Sequence, residues 1–396
     1  MRDRRPSIRW LFVLAGGAAL GVAGTYQFVW SSIRPELGAR LVASEASLGT
    51  VFTVYVVAQT LSQFPAGRFR DRHGPRLPML VGAALIAVGY IGTGLATETA
   101  AVYLAYGAGG AGAGVVYTVA VNTPVKWFTE RRGLATGVVT LMYSGLSVLF
   151  IPFVREGVQT DFETTLFLVG AATGLAALLG ALVLRDPADP ADEDPDPETA
   201  ASERAYGWRE AIRTWQFWVL YVMLVAVNGV GLMLIGKAVA FVEHFGFPGA
   251  LATAAASAVA LSDAAGILAV GGLSDRLGRE RTLAASVTIC GLVLAAAVPL
   301  GEMGAGVAFV AALGAAAFFR SPVFSVVPAL VGEYYGPARS SENYALLYTA
   351  KVWGGVGGGV VASGLIADVG WEATFLIGAA AMTAVGLLAG LLRPVE

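Results

Sequence analysis

Charge is what this 396-residue chain has least of: Asp, Glu, Lys and Arg make up 14% of it, against 56% apolar residues. Soluble domains carry about a quarter charged residues, so a globule of this composition would lack the polar surface to face water. One cysteine, Cys290, builds no disulfide framework, and with only two histidines, His73 and His244, no zinc or iron–sulfur site is expected. Net positive charge is missing as well: 26 Lys and Arg stand against 28 Asp and Glu, which speaks against a nucleic-acid partner. No phosphate-cradling G-x-x-x-x-G-K-S/T loop and no nucleophile motif occur. ATP-driven pumping, enzymatic chemistry and a resident cofactor are therefore not expected. Glycine is instead abundant, 51 residues, which suits helices whose backbones approach closely in lipid.

A bilayer core of about 30 Å takes about 20 apolar residues per helix. Twelve runs of that length are present. Nine hold no charge: 10–30, 48–66, 77–97, 100–125, 133–154, 164–184, 215–236, 282–301 and 373–392. Three in the second half hold one each: 247–273 with Asp263, 303–332 with Arg320, and 343–367 with Lys351. The first run is too long for a signal peptide and reads as a retained helix. Basic residues keep loops cytoplasmic. With the N-terminus inside, inner segments gather Arg2, Arg4, Arg5, Arg68, Arg281 and many more, while outer ones hold only Arg34, Arg40 and Arg155, with Lys237 at an outer helix end. Both termini are expected in the cytoplasm. Between the sixth and seventh runs, DPADPADEDPDPE packs seven acids and four prolines into thirteen residues. Such a segment buries nothing and predicts a disordered linker over 185–214, separating six-helix bundles at 1–184 and 215–396.

The inner loop after the second run reads GRFRDRHGPR (67–76), and that after the eighth reads GGLSDRLGR (271–279), half the chain away. This is an internal duplication. Glycine permits a tight turn, and Asp71 and Asp275 can accept bonds from helix N-terminal amides. The pair resembles the G-x-L-x-D-R-x-G-R loop of the major facilitator superfamily, and the six-plus-six layout covers the whole chain. That resemblance implies an all-α membrane protein of 12 transmembrane helices in two pseudo-symmetric bundles, multi-pass in the inner (plasma) membrane and monomeric. It also implies gating by Asp71, Arg72, Arg76, Asp275, Arg276 and Arg279 on the cytoplasmic side. The same arginines also suit a plain role as topology anchors.

Two further stretches, WFTERRGLATG (127–137) and NYALLYTAKVWGG (343–355), resemble the oxalate:formate antiporter family, relatives of the monocarboxylate transporters. In that family a lysine of the eleventh helix binds the carboxylate substrate, and Lys351 matches it. The family's second cation, an arginine of the eighth helix, is absent; Ile267 or a neighbour stands there, which argues against oxalate. Asp263 fits the aspartate that precedes that arginine in the monocarboxylate transporters. The resemblance further places Gln27, Phe28, Tyr117, Tyr143, Phe324 and Tyr348 in an aromatic box around the substrate, although each alone also suits ordinary helix packing.

A charge at mid-bilayer costs a few kcal/mol or more without a partner or wet cavity. At about 1.5 Å per residue, Lys351, Asp263 and Arg320 lie roughly 12, 15 and 18 Å from the cytoplasmic ends of their helices, in one depth band. Arg320 then restores from the tenth helix the cation missing from the eighth, and the trio's net +1 accepts one carboxylate. A permanent Asp263–Arg320 pair that only neutralises both is the alternative. The expected function is secondary transport of a small organic anion, a monocarboxylate, by proton symport through Asp263 or by anion exchange. Oxalate:formate-type antiport and a non-transporting sensor are the other readings. The expected partners are the carboxylate, H+ and the lipid bilayer.

Overall fold

A computed structural model describes residues 6–127, 132–185, 206–336 and 340–395. Among them every regular element is helical. Lipid offers backbone N–H and C=O groups no partners, so a spanning segment must satisfy them within itself.

One compact unit comprises Met1–Ala191 with the helical stretch Ile235–Ala240. It is built from α1 (Pro6–Phe28), α2 (Trp30–Leu41), α3 (Glu45–His73), α4 (Arg76–Leu95), α5 (Thr99–Trp127), α6 (Arg132–Gly145), α7 (Ser147–Thr160) and α8 (Phe162–Val183). Helix α5 packs on α3, α4 and α1, and α1 packs on α6 and α8. Glycine explains how closely: a Cβ on Gly110 would stand 2.6 Å from the Tyr55 carbonyl, and one on Gly112 would stand 2.7 Å from that of Gly82. One glycine-bearing face of α5 thus meets α3 and another meets α4. Ser44 caps α3 by accepting from the Ser47 N–H at 3.2 Å. Asp161 caps α8 from the Thr164 N–H at 3.1 Å. Bonds from the Thr164 side chain and backbone hold the Asp161 carboxyl below the usual carboxylate range.

The other unit comprises Asp192–Leu234 and Phe241–Glu396. It holds α9 (Trp208–Ala211), α10 (Trp215–His244), α11 (Gly249–Leu277), α12 (Arg279–Glu302), α13 (Gly306–Arg320), α14 (Val323–Tyr335), α15 (Ser340–Tyr348), α16 (Ala350–Val356), a π-helical turn Gly357–Val361 and α17 (Ala362–Ala389). Helix α12 packs on α13 and α17, and α11 packs on α13.

Among the described residues, ten stretches are long and apolar enough to cross a bilayer. The longest, Asn343–Ala389, has 47 residues. At about 1.5 Å per residue it is more than twice the bilayer core. It turns at Gly370, whose φ of 89° is open to glycine, and so makes two crossings. Helix α3, 29 residues with Arg and Asp gathered at its end, is the remaining span. The fold is therefore that of twelve transmembrane helices.

Several local features depart from the sequence reading. Helix α3 runs through Gly67 to His73, and the tight turn expected of the loop's glycines falls to Gly74 (φ 79°) and, in the second copy, to Gly278 (φ 90°). Lys237 is not at a helix end: α10 continues to His244 and leaves Lys237 only 2% exposed. The acidic run 186–198 lies outside the described residues, whereas 206–214 carries regular structure. Tyr206 donates its N–H to the Tyr335 carbonyl at 2.9 Å, and α9 follows. Aromatic and apolar side chains after the acidic run supply what it lacks.

Substituting Gly110 with valine should force α3 and α5 apart. Overpacking of this kind costs about 1–3 kcal/mol, so the detergent-solubilised protein should melt several degrees lower. Gly364→Ala is the control, because its Cβ would meet nothing within 4 Å; thermal unfolding of both variants checks the contrast.

Candidate functional site

Proline at position 322 cannot continue α13, so the chain breaks there and resumes as α14. Arg320 closes α13 just before the break and Ser321 lies in it. The Arg320 guanidinium donates through Nη2 to Asp263 Oδ1 on α11, and the Ser321 hydroxyl donates to the same oxygen at 2.6 Å. Gly231 of α10 leaves room for this arrangement: a Cβ there would stand 2.6 Å from Arg320 Cδ and 2.7 Å from Cζ. The guanidinium also lies 5.3 Å from the Phe324 ring centre. Its Nε is buried without a hydrogen-bond partner among the described residues, which leaves a donor for a ligand.

Lys351, on α16, interacts electrostatically with both Arg320 and Asp263. Its Nζ sits 5.8 Å over the Tyr348 ring, and α16 leads into the π-helical turn. Exposure is 6% for Lys351, 6% for Asp263 and 4% for Arg320. Two cations and one acid thus share a poorly hydrated volume, where an electrostatic interaction is several times stronger than in water. The expected trio is brought together, with Phe324 and Tyr348 beside its cations. Gly231 and Ser321 were not legible in the sequence, since a glycine and a serine in apolar helices carry no sign of what they touch.

In the first unit the polar side chains meet around Tyr143. Its hydroxyl donates to Gln27 Oε1 at 3.0 Å and accepts from Gln59 Nε2 at 2.7 Å. The Tyr55 hydroxyl lies 3.4 Å from both Gln27 Oε1 and the Tyr143 hydroxyl. Phe28 and Tyr117 set their rings edge-on to Tyr143, at 5.9 and 5.6 Å. The four residues expected here, Gln27, Phe28, Tyr117 and Tyr143, therefore form one cluster. Tyr55 and Gln59 complete it unforeseen; their i, i+4 spacing on an otherwise apolar helix was the available signal. Tyr26, Tyr90 and Tyr106 pack closely against the cluster's Tyr55 side, with Tyr26 4.4 Å from both of the others.

Outside these clusters, the side chains of Asp71, Arg72 and Asp275 and the stretch 128–131 lie outside the described residues. Arg76 and Arg276 are exposed. Arg279 pairs with Glu333 at 2.7 Å, and neighbouring Glu280 accepts from the Tyr334 hydroxyl at 3.0 Å. Asn122, exposed, and Asn228, buried, each turn their amide back to a carbonyl of their own helix at 2.8 Å. Trp30 is buried against Phe52, whereas Trp353 is exposed.

Comparison with known proteins agrees with this architecture. The model of the Major Facilitator Superfamily matches residues 11–300 and 226–396. The oxalate:formate antiporter of Oxalobacter formigenes is 30% identical over 93% of this chain and 88% of its own length. Monocarboxylate transporter 11 of Mus musculus is 28% identical over 83% of this chain and 75% of its own. A solved bacterial homologue of the human lysosomal transporter Spinster, inward-facing and unoccupied, superposes with a TM-score of 0.72 at 17% identity, covering 98% of this chain and 96% of that one. The duplicated loop, the twelve helices and the matches along the chain lead to one statement: this chain belongs to the Major Facilitator Superfamily.

Proposed function

We propose that this transporter carries a small monocarboxylate by alternating access, with Lys351 as the residue that holds the carboxylate. The observation behind this reading is the buried trio of Lys351, Arg320 and Asp263, whose formal sum is one positive charge. One carboxylate neutralises it. Arg320 and the Tyr143 cluster are assigned to substrate binding, the tyrosine and glutamine groups supplying neutral hydrogen bonds in a volume that stays largely apolar. Both termini are placed on the cytoplasmic side of the inner membrane, on the strength of the crowding of arginine in the segments on that side.

Oxalate:formate-type exchange is the second reading. It is favoured by the two cations in the trio and by the activity named for the Oxalobacter formigenes relative. Against it, Asp263 sits on Arg320, and α11 offers Ile267 rather than a further cation.

Lys351→Gln leaves a net-neutral Asp263–Arg320 pair. Losing one partner of a buried charge pair costs about 2 kcal/mol or more, roughly a thirtyfold weaker affinity. Uptake by proteoliposomes should be abolished while expression and melting are kept. In a thermal-shift panel, formate, acetate, lactate or pyruvate should bind more tightly than oxalate; the reverse order selects the second reading.

The Tyr143 cluster should set affinity without carrying charge. Gln59→Leu leaves the Tyr143 hydroxyl short of a donor, at a cost of about 1–3 kcal/mol for a buried group. The expected result in uptake assays is a raised KM with maximal rate largely retained, and Tyr143→Phe should raise it as well.

Arginine stays charged throughout, and the coupled proton is assigned to Asp263, the one acid of the trio. An incoming carboxylate competes for Arg320 and frees Asp263 to take up a proton. Asp263→Asn should therefore lose accumulation driven by a proton gradient while keeping equilibrium exchange. Arg320→Ala should be worse, because it leaves Asp263 facing the substrate's own charge, and the double variant should recover some binding. Wild-type uptake that does not vary with external pH would remove the coupling role.

A further inference from the structure

The start of α10 and the segment after α17 come together on one side of the second unit. Arg213, Trp215, Gln216 and Arg393 line a cavity there of about 260 Å³. Gln216, only 5% exposed, donates through Nε2 to the carbonyls of Arg393 at 3.3 Å and Pro394 at 3.4 Å. This buried tie holds the last residues against α10 and fixes the two arginines at the mouth of one cavity. Neither arginine has a carboxylate partner among the described residues. The acid nearest Arg213 in sequence, Glu210, accepts the Gly207 N–H at 2.8 Å. Arg209 is likewise turned away, 5.1 Å over the Trp208 ring.

The surroundings fix the depth of this cavity. Trp208, Trp215 and Trp218 are 40%, 42% and 53% exposed. The Trp218 indole N–H donates to the Ile212 carbonyl at 2.8 Å, with its ring body outward. Half-exposed tryptophans at the end of a spanning helix belong at the level of lipid headgroups. Two guanidiniums at that level present forked donors matched to phosphate oxygens. Basic pockets beside spanning helices are where anionic headgroups are held.

We propose that this cavity binds the phosphate of an anionic phospholipid in the leaflet from which the C-terminus emerges, with Arg213 and Arg393 as its ligands and Trp215 along the acyl-glycerol boundary. The site is separate from the Lys351 trio, and its occupancy stabilises the second unit by joining the chain's last residues to α10.

The test uses the full-length detergent-purified protein and three probes: short-chain phosphatidylglycerol, short-chain phosphatidylcholine and inorganic phosphate. Phosphatidylglycerol should raise the melting temperature by several degrees, and the other two should not. The double variant R213Q/R393Q, altered only at exposed side chains, should melt at the wild-type temperature without lipid and lose the shift. Native mass spectrometry gives an independent readout: a phosphatidylglycerol adduct on the wild type that the double variant loses. An equal shift in the variant, an equal effect of phosphatidylcholine, or the same shift from inorganic phosphate alone overturns the proposal.

Discussion

The ion pair of Arg320 with Asp263, 4% and 6% exposed, sits in spanning helices where a charge on its own costs a few kcal/mol or more. Its persistence depends on several helices at once. Pro322 ends α13 and sets Arg320 at its terminus; the resulting break leaves Ser321 able to give Asp263 a second bond; and Gly231 on α10 withdraws so that the guanidinium fits. A buried pair of this kind is weak evidence of stability, because desolvation offsets much of the attraction. With Lys351 the formal sum of the three buried charges is positive, and it is on this surplus that the proposed binding role rests.

The two units handle polarity in different ways. In the second, ions carry it. In the first, Gln27, Tyr55, Gln59 and Tyr143 share neutral hydrogen bonds, each able to give or accept without bringing a charge into lipid. A hydroxyl shared among several partners can turn to a new acceptor at little cost, because it both donates and accepts.

How much of this was legible in the sequence follows from the same physics. Asp263, Arg320 and Lys351 stood out because a charge inside an apolar run is rare in itself, and their depth followed from helical rise. The twelve spans and the duplicated loop were visible because period and composition announce them. What sequence could not show was partnership. Lys237 lies beyond an apolar run and looked like an interface residue, yet α10 continues past it and buries it. Gly67 and Gly74 look alike in the first loop, but of the two it is Gly74 that adopts positive φ, as Gly278 does in the second copy, because the helix ends there and not a turn earlier. Tyr55 and Gln59 offered only their i, i+4 spacing, which puts them on one face of a helix without showing which partners they meet across it.

Glycine usage sharpens that point. In lipid no hydrophobic force draws helices together, so contact relies on close backbone approach, and several glycines here face another helix's backbone, as Gly110 does Tyr55 and Gly112 does Gly82. Gly231 differs: what fills its missing side chain is the Arg320 guanidinium and its stem. A backbone-facing glycine sets the distance between two helices, and its loss is felt as lower stability. A glycine that faces a charged side chain sets where that charge can lie, and its loss is felt as a displaced guanidinium beside Asp263 even where the helices stay in place. The same residue type thus does two different jobs in one fold, and only the neighbour across the gap tells them apart.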